Sequence, residues 1–542
     1  MTSECQLRCR QVSCLALVGA FSLAVGACGG GSGGLDDSQD PRPPLPAVEL
    51  SFVDITEASP DLAAVPYGGA PGWDHSDKYA PGVALVDLDD DGALDLVQPR
   101  NDRSDSSLRS LRIHRGLGDG TFVDVTSVVW DDSRNATCAL AFDYDGDDDL
   151  DLFIGVADGA SVLYRNDGGF AFTDVTASAG IATAPLYTYA AAAGDVDGDG
   201  DLDLYVGTFN ASAPDHGAGT APNLLFLNHG DGTFSERGQE AGVTCDGRST
   251  LGLALADLDG DGDLDIYVAN DFFEDCLYEN PGPAPGGLPP RFDDVALEAG
   301  ILDAASRAMG VAVGDLDGDL DLDIVVTDTE NPDDSYGNAV FVNRGGLRFD
   351  SLARELGLDG LATLGADWLV SWGVGLVDLD LDGDLDVHVA THTERKELLW
   401  RNDPDGFTPY YDAINSFADG DGRGSAYGDI DGDGDIDMVV GRRGQSLQVL
   451  RNDSAGYRGL TVAIRPYHRA PGARVMVRGD GWSRMAVIQA GEGYLSSSPP
   501  VAVIGVGQAE VVDVEVELVG GVRVLRTDIA VGGPLTIDVS GL

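Results

Sequence analysis

Seven stretches of this chain place aspartates at alternate positions of a nine-residue loop, a spacing that gathers carboxylate oxygens around one point and could hold a hard cation. The regular form, DxDxDGxxD followed by an apolar residue, begins at Asp87, Asp195, Asp257, Asp378 and Asp429. Two copies vary: the loop from Asp143 has Asp148 at the sixth position, and the loop from Asp315 has Leu320 there. Positions 1, 3, 5 and 9 supply the candidate ligands. These are Asp87, Asp89, Asp91 and Asp95; Asp143, Asp145, Asp147 and Asp151; Asp195, Asp197, Asp199 and Asp203; and Asp257, Asp259, Asp261 and Asp265. The remaining loops supply Asp315, Asp317, Asp319 and Asp323; Asp378, Asp380, Asp382 and Asp386; and Asp429, Asp431, Asp433 and Asp437. Calcium, with six to eight oxygens at about 2.3 to 2.6 Å, suits such a set better than magnesium, which demands tighter octahedral geometry. Up to seven Ca²⁺ ions are therefore expected. Without a counter-ion, four carboxylates in nine residues would repel by several kcal/mol, which argues against purely solvated acidic turns.

An EF-hand would need a bidentate Glu at position 12, but those positions are Gln98, Ile154, Val206, Val268, Val326, Val389 and Val440. Each loop runs on into alternating strand, as in Leu202, Asp203, Leu204, Tyr205 and Val206, so the loops join strands rather than helices. Position 7 would add a backbone carbonyl.

Charge fits the same reading. The chain has 92 Asp and Glu against 33 Lys and Arg, a net of -59, which would repel nucleic acid and anionic membrane surfaces. Its 74 glycines and 7% aromatics fit turn-rich β structure.

The loops also count the architecture. Successive starts lie 56, 52, 62, 58, 63 and 51 residues apart, one supersecondary unit each. In the second unit, an apolar strand at Ala139 to Phe142 enters the loop, Leu150 to Ile154 leaves it, a third strand runs through Val162 to Tyr164, and a fourth carries Phe172, Asp174 and Val175. The turn at Asn166, Asp167 and Gly168 tolerates the positive φ of a tight hairpin. Phe52, Asp54, Ile55 and Thr56 match the fourth-strand pattern of Phe122, Asp124, Val125 and Thr126, with no first three strands before them. The last unit has Ser425 to Gly428, Ile436 to Val440 and Leu447 to Leu450 but no fourth strand. This offset predicts an all-β fold: a seven-bladed β-propeller over residues 48–456 whose N-terminal strand closes the last blade, then a small C-terminal β domain over 457–542.

The AxxGDxDGDGDLDLYVG run from Ala191 to Gly207, with RND and FxDVT segments between copies, resembles the FG-GAP or VCBS repeat of integrin α-like propellers. Gly472 to Val475, Gly493 to Ser498, and Gly505 to Gly507 resemble the ASPIC/UnbV domain, although Ile504 and Val516 to Leu518 depart from its pattern. The combination is similar to the cartilage acidic protein family and its bacterial relatives.

Residues 1–28 read as a lipoprotein signal peptide: Arg8 and Arg10 precede an apolar run from Val12 to Val25 that is too short to span a bilayer. Val25, Gly26, Ala27 and Cys28 resemble a lipobox, which implies lipidation of Cys28 after cleavage. Residues 29–47 form a Gly, Asp and Pro-rich tether. The expected location is an outer membrane or cell surface reached through that anchor, or secretion without it. Beyond the leader only Cys138, Cys245 and Cys276 remain, with Cys138 expected as a buried thiol and the pairing of the other two left open.

In such blades the Asp loops and short RND turns share one face. The long loops emerge opposite, at Thr56 to Gly82 with Trp73 and His75, Gly207 to Pro222 with His216, Asn270 to Asp275 with Phe272 and Phe273, and Leu361 to Trp372 with Trp368. His388 and His392 lie on a strand and its exit, where a zinc-helix reading fails, and no catalytic constellation is identified. The expectation is a calcium-binding adhesion or binding protein that recognises a protein or glycan on the long-loop face. A polysaccharide-acting enzyme and a structural subunit of a surface assembly are the alternatives.

Overall fold

Strands covered on both faces must be apolar and small throughout, and those at a free edge must alternate; both kinds recur here in fixed order. The inner strand Thr188–Gly194, with four consecutive alanines, and its neighbour Asp203–Thr208 are buried almost end to end. The outermost strand of that sheet, Phe234–Glu236, buries only Phe234. The computed structural model describes residues 48–542 apart from segments 64–81, 101–109, 127–133, 182–185, 210–220, 286–287, 302–306, 331–336, 361–368, 393–396 and 411–420 and positions 158 and 455. Cys28, Trp73, His75, His216 and Trp368, like the leader and tether, lie outside the described residues.

Seven antiparallel sheets form the blades of a β-propeller. Their inner strands are Ala84–Val86, Asn135–Phe142, Thr188–Gly194, Ser249–Ala256, Val311–Gly314, Leu369–Val377 and Gly422–Gly428. Each packs against the next, and the last packs against the first, so the ring is closed. Closure is through the N-terminal strand Phe52–Asp54, which pairs with Gln448–Asn452 as the fourth strand of the last blade, with Phe52 opposite Asn452. The sixth blade departs from the expected four strands. Its inner strand is nine residues long, and the free edge of that strand pairs with Thr329–Glu330.

Two smaller sheets around one apolar core follow the propeller. Arg458–Arg465 pairs antiparallel with Val501–Gly507 and parallel with Leu535–Asp538. The other sheet runs Trp482–Val487, Arg474–Gly479, Val511–Glu517 and Arg523–Ala530. This domain sits on the Asp-loop face, and residues 490–497 enter the channel lined by the inner strands. Ala193 N–H donates to the carbonyl of Ala490, Gly493 and Val311 exchange backbone bonds, and Leu85 N–H donates to Ser497. Tyr494 is fully buried edge-on to Trp372, with ring centres 5.2 Å apart. A Cβ at Gly424 would lie 2.3 Å from Ser496 Oγ, so only glycine admits this segment there.

Cys245 and Cys276 form a disulfide, and Cys138 is a buried free thiol. Among the described residues no helix is long and apolar enough to cross a membrane.

Candidate metal centre

Each Asp loop folds around its own first carboxylate. Asp195 Oδ1 accepts the N–H of Asp199 at 3.1 Å and its Oδ2 accepts that of Gly200 at 2.9 Å. Asp87, Asp143, Asp257, Asp315 and Asp429 take equivalent bonds from their own loops. The fifth-position carboxylate accepts the N–H two residues on in all seven loops. These bonds turn the carboxylates inward and fix their orientation.

The ninth position does more than close the loop. In every copy one of its oxygens accepts the second residue's N–H and the other accepts an N–H from the third strand, as when Asp203 bonds Val196 at 3.0 Å and Asn228 at 2.8 Å. This aspartate therefore staples three strands of a blade at the rim of the site.

The third position is the one left over. Asp89, Asp145, Asp197, Asp317, Asp380 and Asp431 each keep a buried carboxylate oxygen with no hydrogen-bond partner. In the sixth blade Asp378 Oδ1 is also unpartnered, and Asp378 and Asp380 are each only 3% exposed. A buried, unpartnered carboxylate oxygen is costly unless a cation meets it. Three ligand oxygens lie within 4.8 Å of one another in Asp87, Asp89 and Asp95; in Asp143, Asp145 and Asp151; in Asp195, Asp197 and Asp199; in Asp257, Asp259 and Asp261; and in Asp315, Asp317 and Asp323. Two further groups meet the same condition. These clusters could hold metal ions, and an all-oxygen donor set favours a hard divalent cation.

The electrostatics agree. Burial pushes the Asp95 and Asp437 carboxyls up to about 7 and that of Asp151 to about 9, against two backbone bonds in each case that pull the other way. Burial also holds Asp203, Asp265, Asp323 and Asp386 well above the usual carboxylate range. Burial and then the neighbouring charges of Asp199 and Asp197 take Asp195 to about 7. Four such groups cannot all ionise together without positive charge at the centre.

The variant loops keep the common shape. At the sixth position Asp148 and Leu320 both have φ of 73°, in the same left-handed region as Gly92, Gly200, Gly262, Gly383 and Gly434. The fourth position is left-handed as well, and there Asp90 and Leu381 replace the glycine found in the other five loops. Each non-glycine residue costs on the order of 1 kcal/mol in this conformation.

A feature that sequence patterns did not disclose is an asparagine at the end of the third strand. Asn166, Asn228, Asn280, Asn343, Asn402 and Asn452 each donate Nδ2 to the carbonyl of the second loop residue in the preceding blade, at 2.8 to 3.1 Å. The RND segment carries this residue at Asn166, Asn402 and Asn452, but its position in a turn accounted for it locally. The first blade has Gly116 at that place.

The two histidines are not brought together. His388 is buried with Nδ1 2.7 Å from the Tyr427 hydroxyl, and burial lowers its imidazole to about 4. His392 Nδ1 instead lies 2.5 Å from Asp421. Phe272 is half-buried, with the Arg307 guanidinium 5.9 Å from its ring centre.

The FG-GAP-like repeat family matches residues 87–154, 143–206, 212–268 and 378–440, and the ASPIC and UnbV family matches 465–540. Human cartilage acidic protein 1 is 28% identical over 314 residues, an alignment taking in 56% of this chain and 38% of that protein. The Mus musculus protein of the same name is 26% identical over 484 residues, or 82% of this chain and 71% of its own length. Among solved structures, BBS1N in complex with ARL6DN aligns over 75% of this chain and 97% of its own, at 13% identity and a TM-score of 0.42. YCF48 bound to D1 peptide aligns over 79% and 99%, at 9% identity and a TM-score of 0.41.

Proposed function

We propose, for a chain that belongs with the FG-GAP repeat proteins carrying a C-terminal ASPIC and UnbV domain, the family of cartilage acidic protein 1, that it is an exported binding or adhesion protein whose propeller is held in shape by calcium. The observation that carries the calcium reading is the unpartnered buried oxygen at the third loop position in six of seven blades. Position 1, 3, 5 and 9 carboxylates would hold one Ca²⁺ per loop, and the ion would supply the positive charge that these crowded oxygens lack. Calcium here is structural: it fixes the first hairpin of each blade.

The C-terminal domain contacts the Asp-loop side, which supports the reading that a protein or glycan ligand binds at the opposite, long-loop end. Cys28 would carry the lipid that keeps the protein at a cell surface. Metal counting on the purified chain, with melting curves in calcium and in chelator, tests the first part. A chain that holds no calcium and melts identically in both would overturn it. Capture of matrix or envelope components by the calcium-loaded chain tests the second, and a blank result with calcium present would count against a binding role.

A further inference from the structure

Three of the seven first-position carboxylates take a contact from the C-terminal domain. Gly505 N–H donates to Asp378 Oδ2 at 2.9 Å. His468 Nδ1 stands 3.3 Å from Asp143 Oδ2. Arg474 Nη2 lies 3.4 Å from Asp257 Oδ2 and donates to the carbonyl of the same residue. These are the second, fourth and sixth blades, so the contacts to first-position carboxylates fall on alternate loops, and Arg465 reaches Asp90 in the first blade as well. Arg484 adds a bond to the carbonyl of Asp382, the fifth-position residue in the sixth blade.

The loop residues that break the glycine pattern point the same way. Asp90 pairs with Arg465, and Asp148 accepts the Tyr467 N–H at 2.8 Å. The Leu381 carbonyl accepts the Gly507 N–H at 3.3 Å. Leu320 packs in the same apolar cluster as Met476, Met485 and Val487. Within the Asp loops, the four left-handed residues that carry a side chain thus bond to the C-terminal domain or, for Leu320, share an apolar cluster with it, and this offsets the backbone strain of holding a Cβ there.

Resting on the calcium reading above, we propose that His468, Arg474 and the Gly505 N–H are positioning groups for the metal centres at Asp143, Asp257 and Asp378. They hold each first carboxylate in its ligating pose, so ion binding at these three loops and docking of the C-terminal domain strengthen one another. A hydrogen bond from outside the ligand shell fixes a ligand's rotamer before the ion arrives, and loss of such a bond typically weakens metal affinity about 10- to 100-fold. The cations of the domain do not expel the ion, because four carboxylates in a loop outweigh the two charges of one divalent metal. Reciprocity is a matter of linkage: whatever docking does for the ion, the ion does for docking.

Calcium titration by calorimetry of the full chain, stripped of metal, tests this with His468→Ala, Arg474→Ala and Arg474→Lys. Arg478→Ala serves as the control, since Arg478 pairs with Glu515 away from the loops. His468→Ala and Arg474→Ala should each weaken one class of sites about 10- to 100-fold. Arg474→Lys should recover part of the loss, and the control should match the parent chain. In the parent chain, amides 489–498 should exchange hydrogen slowly in calcium and faster in chelator. Titrations of the two alanine variants that coincide with the control, or that show tighter binding as simple charge repulsion would give, overturn the proposal. A parent chain that binds no calcium at all overturns the metal reading instead.

Discussion

Asn343 Nδ2 donates to the carbonyl oxygen of Leu258 at 2.8 Å, across the gap between two blades and 85 residues of chain. The same amide bonds the Leu322 carbonyl of its own blade at 3.0 Å. One side chain thus ties the second residue of one Asp loop to the eighth residue of the next. Five asparagines make this double tie and Asn402 makes the bond to the preceding blade, so a loop's shape depends on its neighbour as well as on its own carboxylates.

Asn343→Ala removes two buried bonds and leaves two carbonyls without a donor, which should cost about 2 to 3 kcal/mol. Urea unfolding should show this as a lower midpoint with unchanged slope. Gly116→Asn, which restores the pattern in the first blade, should destabilise, because a Cβ there would sit 2.1 Å from the Leu94 carbonyl. A stabilised Gly116→Asn chain would refute the steric reading.

Asp380→Ala should lower the number of bound calcium ions by one in a metal count and leave the other loops filled. Asp380 offers the cluster an oxygen that has no partner within the protein. An unchanged ion count would show that this residue is not a ligand.

The metal-free chain should lose stability as pH rises. Asp95 and Asp437, with carboxyls pushed to about 7, and Asp151, pushed to about 9, have an ordinary value of 3.8, so the folded chain holds more protons than the unfolded one between these limits. Their contribution is greatest at the acidic end of that window and falls as pH climbs through it. Calcium takes the place of those protons, so ion affinity should rise with pH over the same range. Urea midpoints in chelator at pH 5 and pH 8 check the sign, and a higher midpoint at pH 8 would contradict it.

Tyr494→Ala should cost about 3 to 5 kcal/mol and loosen the channel segment, because the ring is fully buried against Trp372. Limited proteolysis between residues 489 and 498 should become faster in the variant. Equal resistance in both chains would place the anchor elsewhere.

The sequence by itself determined the repeat, the seven blades, the closing role of Phe52 to Asp54 and the loops able to gather carboxylates. Each of these is a short-range property: ligands within nine residues, alternation within a strand, and a period that shows where a unit starts and stops. The variant loops with Asp148 and Leu320 keep the backbone shape of the regular ones, because glycine is the usual, not the sole, way to reach a left-handed backbone. Tertiary structure alone decided the rest. The partners of Asn343 lie a blade away, Asp90 meets Arg465 across 375 residues, and Tyr494 finds Trp372 only once the ring exists to enclose it. Nothing in local periodicity encodes which surface a second domain will cover, because that choice depends on the charge and shape of a face assembled from all seven repeats at once.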